Sequence, residues 1–322
     1  MKAIVHARYG RPPAALELRD VERPDLAEDQ VLVRVHASSV NPVEWYTVTG
    51  PFFTRPSSGL RRPKRRLLGG DVAGRIEAVG ENVGELQPGD EVFGISPSSW
   101  GEYAPARPRN LASKPPNVSF EEAAAVPIAG VTALQALRDH GRVEAGQRVL
   151  INGASGGVGT YAVQLAKALG AEVTAVCSTR NVDQAAELGA DRTVDYTQED
   201  FTRLPQRHNL LLDIAGRTPL SKMARVLAPD AKVILVGGIL TYRGVGPLPH
   251  LLGTQISGKV RRRTVKSYVA KVNHDDLAFL AALLESGKLK SVIERQYPLE
   301  EAPQALAHLG EGHAQGKIVI TT

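Results

Sequence analysis

The run Ala154-Ser155-Gly156-Gly157-Val158-Gly159 holds the residue types that most directly imply chemistry. A pyrophosphate needs backbone N–H groups aimed at it, room for close approach and a helix N-terminus behind it, and glycines without Cβ supply the room. Ala154 takes the first glycine position, so the run departs from the G-x-G-x-x-G pattern. Its place between an expected strand, Arg148–Asn152, and an expected helix over 160–169, closed by Gly170, makes it more than a tight turn. With a second strand expected over 171–177, the segment reads as a dinucleotide site. The end of that strand bears on which dinucleotide it takes. Cys177-Ser178-Thr179-Arg180-Asn181 offers no carboxylate before Asp183. An acidic residue would hold the ribose hydroxyls of NAD, whereas hydroxyls and a guanidinium suit the 2′-phosphate of NADP. The competing reading of Arg180 is a solvated loop charge. NADP(H) is the expected cofactor, held by Ala154 through Gly159 with Ser178, Thr179 and Arg180.

These residues need a parallel sheet to position them. Beyond the first two strands, 192–196, 210–214 and 232–236 read as strands, with helices expected up to Leu188 and over 220–227. That alternation predicts a parallel α/β sheet with right-handed crossovers. Up to about residue 118 the texture differs. Val31-Leu32-Val33-Arg34-Val35-His36-Ala37 alternates with period two after its first pair, and strands over 71–80 and 89–94 follow. Short strands broken by Gly, Pro, Asn and Asp predict a barrel-like all-β unit. Ser119 with Glu122 marks a capping-box helix start, and Pro127 limits that helix. The end of the chain, Lys317-Ile318-Val319-Ile320, returns to strand character and is expected to rejoin the β-rich unit.

A single cysteine, Cys177, rules out an intrachain disulfide and any cysteine-rich zinc site. The eight histidines lack metal-ligand spacing, and His308 and His313 read as loop residues. MKAIVHARYG reads as a strand and turn rather than a signal peptide. No apolar run approaches the ~18–20 residues of a membrane-spanning helix. A cytosolic location is the expectation.

The chain has 322 residues, 39 Lys and Arg against 34 Asp and Glu, and a net charge of +5. Its 43% hydrophobic content excludes a disordered protein, and its length suits two domains. Six basic and no acidic residues fall in 50–68, and seven basic and no acidic in 239–272. Without those two segments 26 basic residues face 34 acidic ones, so the positive excess is local. Three readings of these segments compete: solvated loop faces, steering of an acidic substrate or an anionic membrane surface, and nucleic-acid binding. The first is preferred, because stacking partners are few: Phe52, Phe53, Tyr242 and Tyr268.

Taken together, Gly69-Gly70-Asp71-Val72-Ala73-Gly74, Pro88-Gly89-Asp90-Glu91-Val92, Gly130-Val131-Thr132-Ala133-Leu134, the 154–159 turn and Gly316-Lys317-Ile318-Val319-Ile320 occur in telling order. The chain thereby resembles the medium-chain dehydrogenase/reductase superfamily over nearly its full length. The resemblance implies a Rossmann doubly wound parallel sheet over 127–288 and a GroES-like β-barrel-type domain from 1–126 with 289–322. Zinc alcohol dehydrogenases place a Cys near Asn41-Pro42 and a His at Gly70, and neither stands here. The sequence is therefore similar to the zinc-free quinone oxidoreductases, zeta-crystallins and enone reductases. That branch implies NADPH-dependent hydride transfer to a quinone or α,β-unsaturated carbonyl, no metal and a homodimer. A carbonyl or alcohol oxidoreductase of the same fold is the alternative, as is a non-enzymatic NADPH-binding protein contacting RNA or membrane. The resemblance implies that Asn41 and Tyr46 face the substrate and that Thr132 lies near the nicotinamide. It puts Tyr196 near the adenosine phosphate, Gly237-Gly238 after a strand lining the cofactor, and Lys317 among the cofactor contacts. As bare residues, Asn41 before Pro42 is a turn residue, Tyr46 a packed aromatic and Thr132 a helix cap.

Overall fold

In the computed structural model, β1 (Lys2–His6) and β2 (Leu16–Asp20) form an antiparallel pair. The described residues are 1–51, 55, 59–64, 66–236, 252–254, 256–258 and 264–322. β3 (Val31–Ser39) is the trunk of the larger sheet of the first unit. Val33 and Val35 are buried with Arg34 exposed between them, as period-two patterning requires, while the preceding Val31 and Leu32 are both buried. Around β3 lie β4 (Asp71–Val79), β5 (Glu91–Ile95), β6 (Tyr103–Ala106) and β7 (Leu111–Ser113). The valines of β3 pack with Val72, Ile76 and Val92 of β4 and β5 in one core.

Among the described residues, the helices α1 (Pro42–Thr49), α2 (Phe120–Ala124) and α3 (Pro127–Gln135) accompany these strands. The expected capping box opens α2. Glu122 N donates to Ser119 Oγ (3.1 Å) and Ser119 N donates to the Glu122 carboxylate (2.9 Å). α2 ends before Pro127, which opens α3.

The second unit contains β8 (Arg148–Asn152), α4 (Gly157–Ala168), β9 (Glu172–Cys177), α5 (Val182–Glu187), β10 (Arg192–Asp195), β11 (His208–Asp213), α6 (Leu220–Met223), β12 (Leu227–Leu235) and β13 (Thr264–Ser267). They form a six-stranded parallel sheet in the order β10-β9-β8-β11-β12-β13. Leu150, Leu211 and Val233 lie in its core, and each such buried side chain contributes about 1.5–3 kcal/mol. The helix expected over 160–169 begins three residues earlier, because Gly156 serves as its N-cap. The helix expected over 220–227 stops at Met223, because a 3-10 turn hands the chain to β12 at Leu227.

The chain then returns to the first unit through α7 (His274–Glu285), β14 (Ile293–Pro298), α8 (Ala302–Gly310) and β15 (Lys317–Thr321). β15 pairs antiparallel with β3, so the C-terminal strand does rejoin the β-rich unit. The compact units are Met1–Val131 with Lys271–Thr322, and Thr132–Ala270. α7 falls inside the 127–288 span expected for the nucleotide domain, yet it packs within the first unit. His274 Nδ1 lies 2.8 Å from the Leu111 carbonyl, and Asn117 Nδ2 donates to the Glu285 carbonyl at 3.0 Å.

Candidate active site

Strand order reverses between β8 and β11, and open α/β sheets bind ligands outside the carboxyl ends of strands at such a point. Asn152 Nδ2 donates to Asp213 Oδ1 (2.8 Å), tying those two strand ends together. Beyond Asn152 the chain turns at Gly153, whose φ of 93° lies in the region that favours glycine. The N–H groups of Gly153 and Ala154 both donate to the Val176 carbonyl, at 3.1 and 3.0 Å, and anchor the turn to β9. A Cβ on Gly159 would lie 2.1 Å from the Gly153 carbonyl oxygen, so only glycine lets the helix pack this closely on the turn. A Cβ on Gly156 would meet no atom nearer than 3.9 Å, so the space above the α4 N-terminus is open. Gly156 provides no side-chain cap, which leaves the first-turn N–H groups of α4 to a ligand or water. Ser155, Gly157 and Val158 are half-buried beside them. This cradle fits a dinucleotide pyrophosphate.

At the end of β9, Ser178 is half-buried and Thr179 and Arg180 are exposed. β10 runs beside it and pairs Asp195 with Cys177. Thr179 Oγ1 lies 2.9 Å from Thr197 Oγ1, which donates to Asp195 Oδ1 (2.8 Å). The Thr179 hydroxyl, then Thr197, hold the Asp195 carboxyl below its ordinary range. Asp195 lies outside the 177–183 stretch, because the sheet rather than the chain brings it beside the end of β9. Tyr196 is exposed, with its N–H on the Cys177 carbonyl (3.0 Å). Thr132 is half-buried, and its carbonyl accepts from the Tyr268 hydroxyl. Burial raises that hydroxyl's pKa. Gly237 and Gly238 lie outside the described residues.

The first unit holds a second constellation, wholly buried. Asn41 is the N-cap of α1, Asp71 opens β4, and Lys317 opens β15. Lys317 Nζ donates to Asn41 Oδ1 at 2.6 Å and lies 3.3 Å from Asp71 Oδ2. Asn41 Nδ2 donates to the same carboxylate oxygen at 2.9 Å, and Ser39 Oγ donates to it at 2.5 Å. The other oxygen, Asp71 Oδ1, accepts the Ile128 N–H at 2.8 Å. The Asn41 amide is thus engaged on both sides inside the cluster. Lys317 is buried there as well, and its ammonium is held by Asn41 and Asp71.

Glu44, one turn into α1, is also buried, and its Oε2 accepts the Asn41 backbone N–H at 2.8 Å. Burial first, and then the Asp71 charge, push the Glu44 carboxyl up to about 8. It lines a cavity of about 210 Å³ together with Val43, Leu68, Gly70, Ile95 and Ile128. Tyr46, on the same helix, is half-buried. Neither Glu44 nor Asp71 stood among the expected site residues. The available signals were an acid opening a strand ahead of the apolar run Val72-Ala73-Gly74, and a carboxylate three residues after an N-cap.

Of the two basic segments, Arg61, Arg62, Lys64 and Arg66 are exposed. Arg55 lies over the Tyr9 ring, 5.1 Å from its centroid, and Tyr9 donates to the Gly59 carbonyl at 2.7 Å. Phe52, Phe53, Tyr242 and the triplet Arg261-Arg262-Arg263 lie outside the described residues. No described helix is long and apolar enough to cross a membrane.

Residues 27–136 match the alcohol dehydrogenase GroES-like domain, and residues 188–320 match the zinc-binding dehydrogenase family. A chloroplastic quinone-oxidoreductase of Triphysaria versicolor is 32% identical over 335 residues, covering 99% of this chain and 98% of that one. A chloroplastic NADPH-dependent alkenal/one oxidoreductase of Arabidopsis thaliana is 31% identical, covering 99% and 79%. Among solved structures, a quinone oxidoreductase from Coxiella burnetii superposes with a TM-score of 0.89 at 31% identity, covering 100% and 99%. The chain belongs to the medium-chain dehydrogenase/reductase superfamily, and within it to the quinone oxidoreductases. It is an oxidoreductase.

At Asn41 and Gly70, the zinc in the second family's description meets neither a thiolate nor an imidazole. Asn41 is an amide already engaged, and Gly70 carries no side chain. Asp71 already faces the Lys317 ammonium. Zinc takes thiolate, imidazole or carboxylate ligands in a set of three or four. No group of three His, Cys, Asp or Glu that could hold a metal gathers among the described residues.

Proposed function

We propose that the protein is an NADPH-dependent, zinc-independent reductase acting on a quinone or an α,β-unsaturated carbonyl. The observation that carries this reading is the Lys317–Asn41–Asp71 cluster, which fills with an ammonium the place where a metal-dependent relative would need ligands. The printed activities of the relatives, on quinones and on alkenals and alkenones, support the acceptor class. One relative's NADPH dependence and the hydroxyls and guanidinium at 178–180 support the cofactor.

Bound NADPH supplies the hydride. The protein's share of the work is to bind, orient and stabilise. The 154–159 turn and the α4 N-terminus hold the pyrophosphate, and Ser178, Thr179 and Arg180 the 2′-phosphate. Tyr196 and Gly237-Gly238 flank the same cofactor, and Thr132 lies beside the nicotinamide. Tyr46 donates a hydrogen bond to the reacting carbonyl. Asn41, held by Lys317 and Asp71, keeps the wall of the acceptor site fixed. A homodimer belongs to the same reading, since β13 ends its sheet among the described residues, and light scattering tests it.

NADPH oxidation against a panel of quinones, enones, aldehydes and alcohols, with and without a chelator, tests the function. Turnover of quinones or enones that is indifferent to chelation is expected. Inhibition by the chelator, or turnover confined to alcohols and aldehydes, would overturn it. Tyr46→Phe is expected to slow carbonyl reduction and leave NADPH affinity nearly intact.

A further inference from the structure

The first unit's cavity presents one ionisable group, Glu44, to a wall of apolar side chains interrupted by Thr47, Ser96 and Asn110. Val43, Leu68, Ile95 and Ile128 line it, and Glu44 enters it from α1. Glu44 is only 4% exposed, so the face it offers is the one toward the cavity. Its two oxygens have different surroundings. Oε2 accepts the Asn41 N–H at 2.8 Å. Oε1 stands against Gly70, where an added Cβ would lie 2.9 Å from it and 2.9 Å from Ile128 Cδ1. Any side chain at position 70 would therefore cover this oxygen and shrink the cavity.

Ionisation of Glu44 is opposed by burial and by Asp71, and favoured by nearby backbone N–H groups and by Lys317. Opposition wins, and at neutral pH the group is a carboxylic acid. A neutral carboxyl has one carbonyl-type oxygen and one hydroxyl. The Asn41 N–H needs an acceptor, which makes Oε2 the carbonyl-type oxygen and leaves the hydroxyl on Oε1, at the cavity wall. The charged groups around it are Asp71 from β4 and Lys317 from β15, already joined to each other. α3 presents apolar Ile128.

We propose that Glu44 is the ionisable hydrogen-bond donor of this cavity, its Oε1–H binding the carbonyl oxygen of a small, otherwise apolar quinone or enone. The substrate class rests on the function proposed above. The donor role makes Glu44 a catalytic residue, because that oxygen gains negative charge as the acceptor is reduced and the hydrogen bond strengthens with it.

The test uses the full-length protein with 2-cyclohexenone and, as a control lacking the oxygen, cyclohexene. Direct binding by ligand-observed NMR needs no turnover. The enone is expected to bind at least tenfold more tightly than cyclohexene at pH 6.5, and the preference is expected to vanish by pH 9.5. Equal binding of the two at pH 6.5 would overturn the proposal. In NADPH-oxidation kinetics, wild-type kcat/KM for the enone is expected to fall about tenfold per pH unit above about 8. Glu44→Gln keeps an N–H donor that does not titrate, so it is expected to run about tenfold slower at pH 6.5 with a flat profile to pH 9.5. A wild-type pH fall retained in Glu44→Gln would overturn the proposal. Glu44→Ala is expected to lose about 10²-fold, the usual cost of one such donor. If that variant does not fold, the binding series and the Gln profile still decide. A protein that oxidises NADPH with no quinone or enone yet binds the enone in this pH-dependent way would refute the proposed function and leave the donor standing.

Discussion

Lys317 reaches the Asn41 side-chain oxygen at 2.6 Å across 276 positions of chain, and in doing so sets its ammonium 3.3 Å from the Asp71 carboxylate. Three segments meet there: the N-cap of α1, the first residue of β4 and the first residue of β15. Both members of the ion pair are buried, so each is the charge partner of the other. Breaking such a pair on one side leaves an uncompensated buried ion, at a cost of about 3–5 kcal/mol. Lys317→Met is therefore expected to lower unfolding free energy by about that amount in denaturant titration. Adding Asp71→Asn to it should restore most of the loss. Additive losses in the double variant would show that the pair is not coupled.

The turn at 154–159 separates packing from ligand space. Gly159→Ala drives a Cβ into the Gly153 carbonyl oxygen, whereas Gly156→Ala meets nothing closer than 3.9 Å. The first variant is expected to lose both stability and NADPH binding. The second should melt like the wild type but bind NADPH at least tenfold more weakly, because the methyl occupies the approach to the helix N-terminus. Thermal melts and fluorescence titration with NADPH check both. Unimpaired NADPH binding in Gly156→Ala would place the pyrophosphate elsewhere.

Cofactor choice is expected to turn on Arg180. A charge-assisted hydrogen bond contributes about 1.5–3 kcal/mol, and each 1.4 kcal/mol is tenfold in affinity. Arg180→Ala is therefore expected to weaken NADPH binding about 10- to 100-fold while leaving NADH binding unchanged, as measured by titration with each. Equal losses for the two would assign Arg180 a structural role.

The parts of this molecule legible in its sequence are those built from neighbours in the chain. β8, the glycine turn, α4 and β9 could be recognised because each signal lies within a few residues of the next. The same holds for the Ser119–Glu122 box. The buried cluster was not legible as a cluster. Asn41 and Lys317 could each be singled out, but nothing local says that one holds the other, since β15 reaches β3 only after the whole second unit has intervened. Asp195 escaped for a related reason, being brought to Thr179 by the register of β10 on β9. Glu44 was hidden by its own ordinariness. A carboxylate three residues after an N-cap usually completes a capping box in water, and only burial turns it into a neutral acid.

That burial has a consequence for stability that can be measured without any ligand. Glu44 has a carboxyl of ordinary pKa 4.5 when exposed and one pushed up to about 8 in the fold. Between those two values the native state holds a proton that the unfolded chain has released. Stability from this group is complete below about 4.5 and is lost progressively as pH rises through about 8. The slope reaches at most about 1.4 kcal/mol per pH unit inside that window. His6, His36 and His208 act in the opposite sense. Burial, the leading cause for each, lowers their pKa, so they favour the fold as pH rises toward 6.5 and are neutral partners above it. Comparing wild type with Glu44→Gln cancels the histidines, which both proteins share. The difference in unfolding free energy between the two is expected to move against the wild type by several kcal/mol between pH 5 and pH 8, read by denaturant titration at fixed ionic strength. A difference that stays constant over that range would mean that Glu44 is ionised in the native state, and that the cavity wall carries a charge rather than a hydroxyl.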